Sequence, residues 1–388
     1  MDHFYFDHNA STPVSEEVLE AFIPLLRDVY GNASSIHRAG QEARKRLEQA
    51  RERVAAFIGC QANEVVFTSG GTESNNLAIL GAVRRSRRAR KHVITSAIEH
   101  PAVLNACMQL EREGVEVTYA PVNGDGVVSP DDVRAALRPD TVLISIMHVN
   151  NEVGSIQPIP ELAAVAQEAG ALFHSDGIQA AGKIPISMLT PGIDLYSVSG
   201  HKFGDPKGAG ALYVRQGVEL LPLQFGGRHE RERRPGTHNV PGAVALGLAA
   251  DWTRDHLRPE ISRLAALRDR LEQGILARVP DAAVNGAGAM RVANTTNIRF
   301  DGVDAEAALI ALDLRGFAVS TGSACSSGAV KPSHVLTAMG LNRDQAKASV
   351  RFSLGWTNTE EQVDRLIDAV EDSVKHLRRL APTTAFHA

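Results

Sequence analysis

The sequence predicts an α/β protein: a large unit with a mostly parallel sheet flanked by helices, followed by a smaller α+β C-terminal unit. Three observations carry this. Short apolar runs of strand length recur through the first 215 residues, segments with 3.6-residue periodicity lie between many of them, and an apolar pattern restarts beyond Leu264. The first dozen residues, with Ser11, Thr12 and Pro13, read as a turn-rich lead-in. Arg38 to Ile58 is a helix that is charged on one side and carries Leu47, Ala50, Val54 and Phe57 on the other, with Gly59 as its stop. The strands then follow in order: 65–67, 92–94, 115–119, 142–146, 171–174, 194–198 and 210–214, with a helix from Ile159 to Ala169 among them. Leu264, Leu267, Leu271 and Ile275 mark a helix that leaves the large unit. Asn297–Phe300 is a new strand and Ala305–Leu314 a new helix. The expected division is 13–255 for the large domain, and 1–12 with 256–388 for the small one.

The composition excludes several classes. In 388 residues, 44% are hydrophobic and 22% charged, an ordinary globular balance. The net charge of −4 gives no strong field toward nucleic acid or an anionic membrane surface. No run of apolar residues is long enough to span a bilayer, and the N-terminus lacks a signal-peptide pattern. Cys60, Cys107 and Cys325 contain no CxxC pair, which argues against a disulfide framework or a metal or iron–sulfur site within one chain. A protein of a reducing cytoplasm is expected. The basic run Arg84, Arg85, Arg87, Arg88, Arg90 and Lys91 reads as a solvated helix end.

In parallel sheets, ligands bind beyond the carboxyl ends of the strands, and three segments there carry chemistry. Thr68-Ser69-Gly70-Gly71-Thr72 links a strand to a helix, and free amides at a helix start attract an anion such as phosphate. Asp176 ends a buried strand, where a carboxylate calls for a cation or caps the next helix. Lys202 follows another strand in a turn of small residues, where desolvation frees an amine for Schiff-base chemistry. Ser199 and His201 beside it offer further phosphate donors. A phosphate turn, a strand-end Asp and a strand-end Lys in this order describe a pyridoxal phosphate site.

The chain resembles the cysteine desulfurases of the NifS/IscS kind, a branch of the fold-type-I pyridoxal phosphate enzymes related to class-V aminotransferases. The likeness runs from Tyr5-Phe6-Asp7-His8-Asn9-Ala10 to Val350-Arg351-Phe352-Ser353-Leu354-Gly355. It is most specific at Ser320-Thr321-Gly322-Ser323-Ala324-Cys325, which is similar to the family's active-cysteine loop. Ile98-Glu99-His100-Pro101 and Asn150-Asn151-Glu152 also match family segments. The resemblance implies that Lys202 forms the Schiff base, Asp176 pairs with the pyridine nitrogen, and Gln179 and Asn151 contact the ring oxygen side. It implies that His100 stacks on the ring, that Gly71, Thr72, Ser199 and His201 hold the phosphate, and that Arg351 grips the substrate carboxylate. Thr237 would reach the neighbouring subunit's phosphate, which implies a homodimer. Cys325 would accept sulfur from L-cysteine, leave L-alanine, and pass the sulfur to an iron–sulfur scaffold or a thiolation enzyme.

Chemistry supports the cysteine independently, because thiols react as thiolates and Cys325 lies among Gly and Ser rather than in a core pattern. Cys107 falls on an apolar helical pattern and Cys60 follows a helix end. Selenocysteine lyase, aminotransferase and a non-catalytic sulfur carrier are the alternative readings. One departure stands out: Asp205 precedes Pro206 where the family has glycine, and a changed loop around an intact site is expected.

Overall fold

The computed structural model describes residues 3–322 and 332–380; Cys325 lies outside the described residues. The strands are β1 (Phe4–Tyr5), β2 (Val65–Thr68), β3 (His92–Ser96), β4 (Glu116–Ala120), β5 (Thr141–Ser145), β6 (Leu172–Asp176), β7 (Leu195–Ser199), β8 (Gly210–Val214), β9 (Ala282–Val284), β10 (Thr295–Phe300), β11 (Phe317–Ala318) and β12 (Ser349–Ser353). The helices are α1 (Glu16–Asp28), α2 (Arg38–Ile58), α3 (Gly71–Arg85), α4 (Pro101–Arg112), α5 (Pro130–Ala135), α6 (Ile159–Glu168), α7 (Val240–Arg278), α8 (Ala305–Asp313), α9 (His334–Ala338), α10 (Arg343–Lys347) and α11 (Glu360–Leu380).

Seven strands form one sheet in the order β2-β8-β7-β6-β5-β3-β4. From β7 to β4 every pairing is parallel. β8 alone is reversed, antiparallel to both β7 and β2. A parallel return needs a crossover of about a dozen residues or more. The connection 200–209 is shorter than that, so the chain doubles back. That reversal sets the Lys202 turn at the carboxyl end of β7. Each expected strand is present, shifted by at most two residues at an end.

α2 buries Leu47, Ala50, Val54 and Phe57 as its pattern requires, and Gly59 ends it in the left-handed conformation at φ +70°. The helix containing Leu264 starts much earlier than its leucines suggest. α7 runs unbroken for 39 residues from Val240. Its first half buries Gly242, Ala243, Ala245, Gly247, Ala249 and Ala250, and small residues on every side leave no amphipathic stripe to read. They allow close packing: a Cβ at Gly247 would lie 3.0 Å from Ala50 Cα. The second half sends Leu267, Leu271 and Ile275 into a separate core with Phe300, Phe352, Leu366 and Val370. That core covers the three-stranded sheet β12-β10-β9.

The lead-in is more than a run of turns. β1 pairs in parallel with β11, Phe6 is fully buried, and Asp7 bridges to Ser353. A two-residue strand is too short for alternation to show in the sequence. The basic run ends α3 and the loop beyond it. Arg84 pairs with Glu113, Arg85 with Glu219, and Arg88 donates to the carbonyls of Pro139 and Thr141. No helix among the described residues is long and apolar enough to cross a membrane.

Candidate active site

The parallel strands deliver their chemistry to one end of the sheet. Gly71 and Thr72 follow β2, His100 follows β3, Asn151 lies beyond β5, Asp176 ends β6, and Ser199 and Lys202 end and follow β7. Gly71 opens the 15-residue helix α3 and allows a close approach: a Cβ there would meet Ile178 Cδ1 at 2.1 Å and Ser199 Cβ at 3.5 Å. Thr72 beside it is exposed, whereas Ser199 is buried and its Oγ accepts and donates no hydrogen bond among the described residues.

Asp176 is both an anion in search of a cation and a cap. Its Oδ1 accepts from Ile178 N–H at 3.0 Å, and its Oδ2 accepts from Asn75 Nδ2 at 2.6 Å. Burial holds the carboxyl above its usual range, even though His100, the Ile178 N–H, Asn75 and Lys202 all pull it down. His100 also does two things. It caps α4, its Nδ1 accepting from Ala102 N–H at 3.1 Å. An acceptor at Nδ1 leaves the proton of the neutral ring on Nε2. Burial lowers its pKa, Asp176 opposes that, and Lys202 and His334 reinforce it.

Lys202 Nζ donates to the backbone carbonyls of Asn9 at 2.7 Å and Ala10 at 2.8 Å. The lead-in therefore forms one wall of the site, anchored by Thr12 to the carbonyl of His201. His201 is half-buried, its Nδ1 is 3.3 Å from Ser11 Oγ, and burial together with Lys202 and Lys207 brings its pKa down to about 4. Gln179 is buried and donates from Nε2 to Asn9 O at 2.9 Å.

The other sheet contributes Arg351 from β12. Its Nη1 donates to Asn151 O at 2.9 Å and its Nη2 to Asp7 Oδ1 at 2.6 Å, while Nε is buried with no partner among the described residues. Its backbone pairs with Ser320, five positions before Cys325 in the sequence. Gly322 and Ser333, on either side of the undescribed stretch, both lie against the buried Glu152. Ser333 Oγ donates to its Oε2 at 2.5 Å.

Thr237 stands apart from this cluster. It is exposed, on a loop that shares a cleft with Thr68, Ser69, Arg234 and His238. Three consecutive left-handed residues precede it: Glu230, Arg231 and Glu232, at φ of 45°, 55° and 66°. Such conformations persist only where the surroundings enforce them, and buried Glu230 is the anchor. It accepts from Arg51 at 2.7 and 2.8 Å, from Phe67 N–H at 2.9 Å, and has His238 Nε2 at 2.9 Å. Burial pushes its carboxyl up, but His238 and Arg51 outweigh that and bring it down to about 2.

Sequence reasoning missed Asn9, Asn75, Asp7 and Lys183. Asn75 was the most accessible of these, because it lies four residues from Gly71 on the same face of α3. The others owe their place to tertiary contacts.

Asp205, the departure from the family pattern, is buried in the loop after Lys202. It is 1% exposed, and neither carboxyl oxygen has a hydrogen-bond partner among the described residues. Its space exists because residue 200 is glycine; a Cβ there would lie 2.0 Å from Asp205 Oδ2. Burial alone pushes this carboxyl well above the usual range. A raised acid pKa means that the folded state holds its proton more tightly than the unfolded chain. Stability is therefore lost as pH rises above about 4, where the unfolded carboxyl ionises, at up to about 1.4 kcal/mol per pH unit until the folded group ionises. Asp205→Ala is expected to melt at a higher temperature at neutral pH, with a gain over the parent that grows from pH 4 upward. Melting curves across that range check this, and a pH-independent difference would refute it.

Comparison with known proteins decides the family. The class-V aminotransferase family description matches residues 4–366. A cysteine desulfurase of Trichormus azollae is 49% identical over 98% of this chain and 95% of its own length. The chain belongs to the cysteine desulfurases of the class-V aminotransferase family. A cysteine desulfurase IscS of Methanosarcina thermophila is 47% identical to this desulfurase, over 98% of this chain and 94% of its own. A solved NifS-like protein superposes with a TM-score of 0.91 at 36% identity, covering 97% of this chain and all of that one. The structure described as SspA in complex with cysteine superposes with a TM-score of 0.81 at 40% identity, over 90% and 98%. The family depends on pyridoxal phosphate, which is the cofactor of this desulfurase.

Proposed function

We propose that the chain takes the sulfur of L-cysteine, releases L-alanine, and carries the sulfur as a persulfide on Cys325 for delivery to an acceptor protein. The observation that supports this best is the convergence of Lys202, His100 and Asp176 at one end of the sheet, with Arg351 arriving from the other sheet.

The residues fit pyridoxal phosphate. Ser199 Oγ, without a partner among the described residues and beside Gly70 and Gly71 at the start of α3, suits a phosphate oxygen, as does the N-terminus of that helix. His201, Thr72 and, from a partner subunit of a homodimer, Thr237 complete that set. A protonated ring nitrogen would give Asp176 the cation its burial calls for. Asn151 and Gln179 would meet the ring oxygen side, and His100 the ring face. When bound, the cofactor is an electron sink for the substrate α-carbon.

The chain's own groups do the rest. Arg351 binds the substrate carboxylate through its guanidinium, whose Nε has no partner among the described residues. Lys202 Nζ takes the α-proton, and His100 Nε2 holds or returns a proton nearby. The Cys325 thiolate attacks the substrate sulfur; the carbon–sulfur bond breaks, and its electron pair stays with the carbon fragment that is protonated to alanine. In this reading 13–255 carries the cofactor, 1–12 with 256–388 carries the cysteine and Arg351, and the protein works in the cytoplasm.

The test is mass spectrometry after incubation with L-cysteine. One added sulfur on the Cys325 peptide and alanine in solution are expected; pyruvate with no enzyme-bound sulfur would overturn the proposal. Arg351→Lys is expected to lower kcat/KM by roughly 10- to 100-fold, mainly through KM, because a charged hydrogen bond to the carboxylate is lost. Steady-state kinetics with L-cysteine check it, and an unchanged KM would remove Arg351 from the site.

A further inference from the structure

Lys183 is a buried lysine that the reading above leaves unused. It lies beyond Gln179 in the segment after β6, is 8% exposed, and no carboxylate among the described residues pairs with it. Its Nζ donates to Asn9 Oδ1 at 2.6 Å and to Gln179 Oε1. Burying an ammonium against two neutral amides is costly, and a lysine kept only for packing is better replaced by an apolar side chain.

Lys183 Nζ donates to both amide groups facing it, so each presents its oxygen to the lysine. The rest of the network agrees. Gln179 Nε2 donates to Asn9 O at 2.9 Å; turned over, it would set oxygen against oxygen there and N–H against Nζ. Asn9 Oδ1 also accepts from Asn294 Nδ2 at 3.2 Å, and Asn9 Nδ2 donates to Asn151 O at 3.1 Å and Thr295 Oγ1 at 2.9 Å. The same Asn9 supplies one of the carbonyls that hold Lys202.

We infer that Lys183 is a positioning residue: it locks the amides of Gln179 and Asn9 so that Gln179 offers only N–H hydrogens to the ring oxygen side of the cofactor. This rests on the pyridoxal phosphate reading and deepens it. A donor fixed on the ring oxygen stabilises negative charge there. That favours the deprotonated form of the Lys202–cofactor linkage, and so keeps the pH at which the linkage loses its proton low. A positive charge on Lys183 acts in the same direction. Among the described residues, titratable or charged groups that face Lys202 include His100, Asp176, Lys183 and His201. Those that face Lys183 among the described residues are Lys202, Arg351 and His8.

The experiment is a pH titration of the near-visible absorption of the holoenzyme, for the parent, Lys183→Met and Gln179→Glu. Lys183→Met is expected to raise the midpoint by about one pH unit or more, the size set by one hydrogen bond to a charged group. Gln179→Glu keeps Lys183 partnered by a carboxylate but removes the N–H and sets a carboxylate oxygen against Asn9 O, so it is expected to raise the midpoint. It stands in if Lys183→Met does not fold. A purely structural lysine would change melting or cofactor content but leave the midpoint in place. A parent-like midpoint in the variant that folds overturns the role of Lys183. A parent protein with no such absorption after loading overturns the cofactor reading itself.

Discussion

Lys202→Ala is expected to lower turnover of L-cysteine by roughly 10⁴-fold or more, because in the proposed function the residue is both the attachment point for the cofactor and the base for the α-proton. Its placement is specific: the turn after β7 exists because the chain reverses into β8, and the lead-in carbonyls of Asn9 and Ala10 hold Nζ. Asp176, Asn75 and the start of α3 are untouched by the substitution, so noncovalent cofactor binding is expected to persist. The variant should therefore lose the near-visible absorption of the covalent linkage and release the cofactor on dialysis, while melting close to the parent. Turnover within tenfold of the parent would end the assignment.

The second large effect is at Cys325. Cys325→Ser is expected to abolish enzyme-bound sulfur and to slow alanine formation by roughly 10³- to 10⁶-fold, the range seen when a nucleophile is removed. The other two cysteines make poor substitutes. Burial, with Glu64 nearby for Cys60 and Glu99 for Cys107, pushes both thiols up to about 12. At pH 8 only about one in 10⁴ of either is a thiolate. A Cys60→Ala, Cys107→Ala double variant should then load sulfur as the parent does. Mass-spectrometric mapping settles the point, and sulfur found on position 60 or 107 would sink it.

Most of the large sheet was legible because buried parallel strands are short apolar runs, as at Val142–Ile146, and because Gly59 ends α2 for a plain stereochemical reason. The strand-end chemistry followed, since Asp176 and Lys202 stand at the boundary between an apolar run and a turn. What escaped has a physical cause in each case. The first half of α7 is built from Gly and Ala that pack on all sides, so it shows no period. β8 looks like its neighbours, since strand direction depends on the connection before it. Asn9 and Lys183 are ordinary in the sequence, and their roles arise from partners up to 344 positions away, as in the Asn9–Ser353 contact. Asp205 was visible as a departure from the family pattern, but not as a buried carboxyl lacking a hydrogen-bond donor among the described residues.

The lead-in has a bearing on biosynthesis. Asn9 N–H is bonded to Ser353 Oγ, and Ser353 N–H to Phe6 O, so these residues are fastened by residues translated 344 or more positions later. The segment whose carbonyls steady Lys202 is thus held in full only once β12 has left the ribosome. Contacts of such separation form late, and a nascent chain truncated before β12 would emerge with its central sheet complete but without the clasp that closes the pocket.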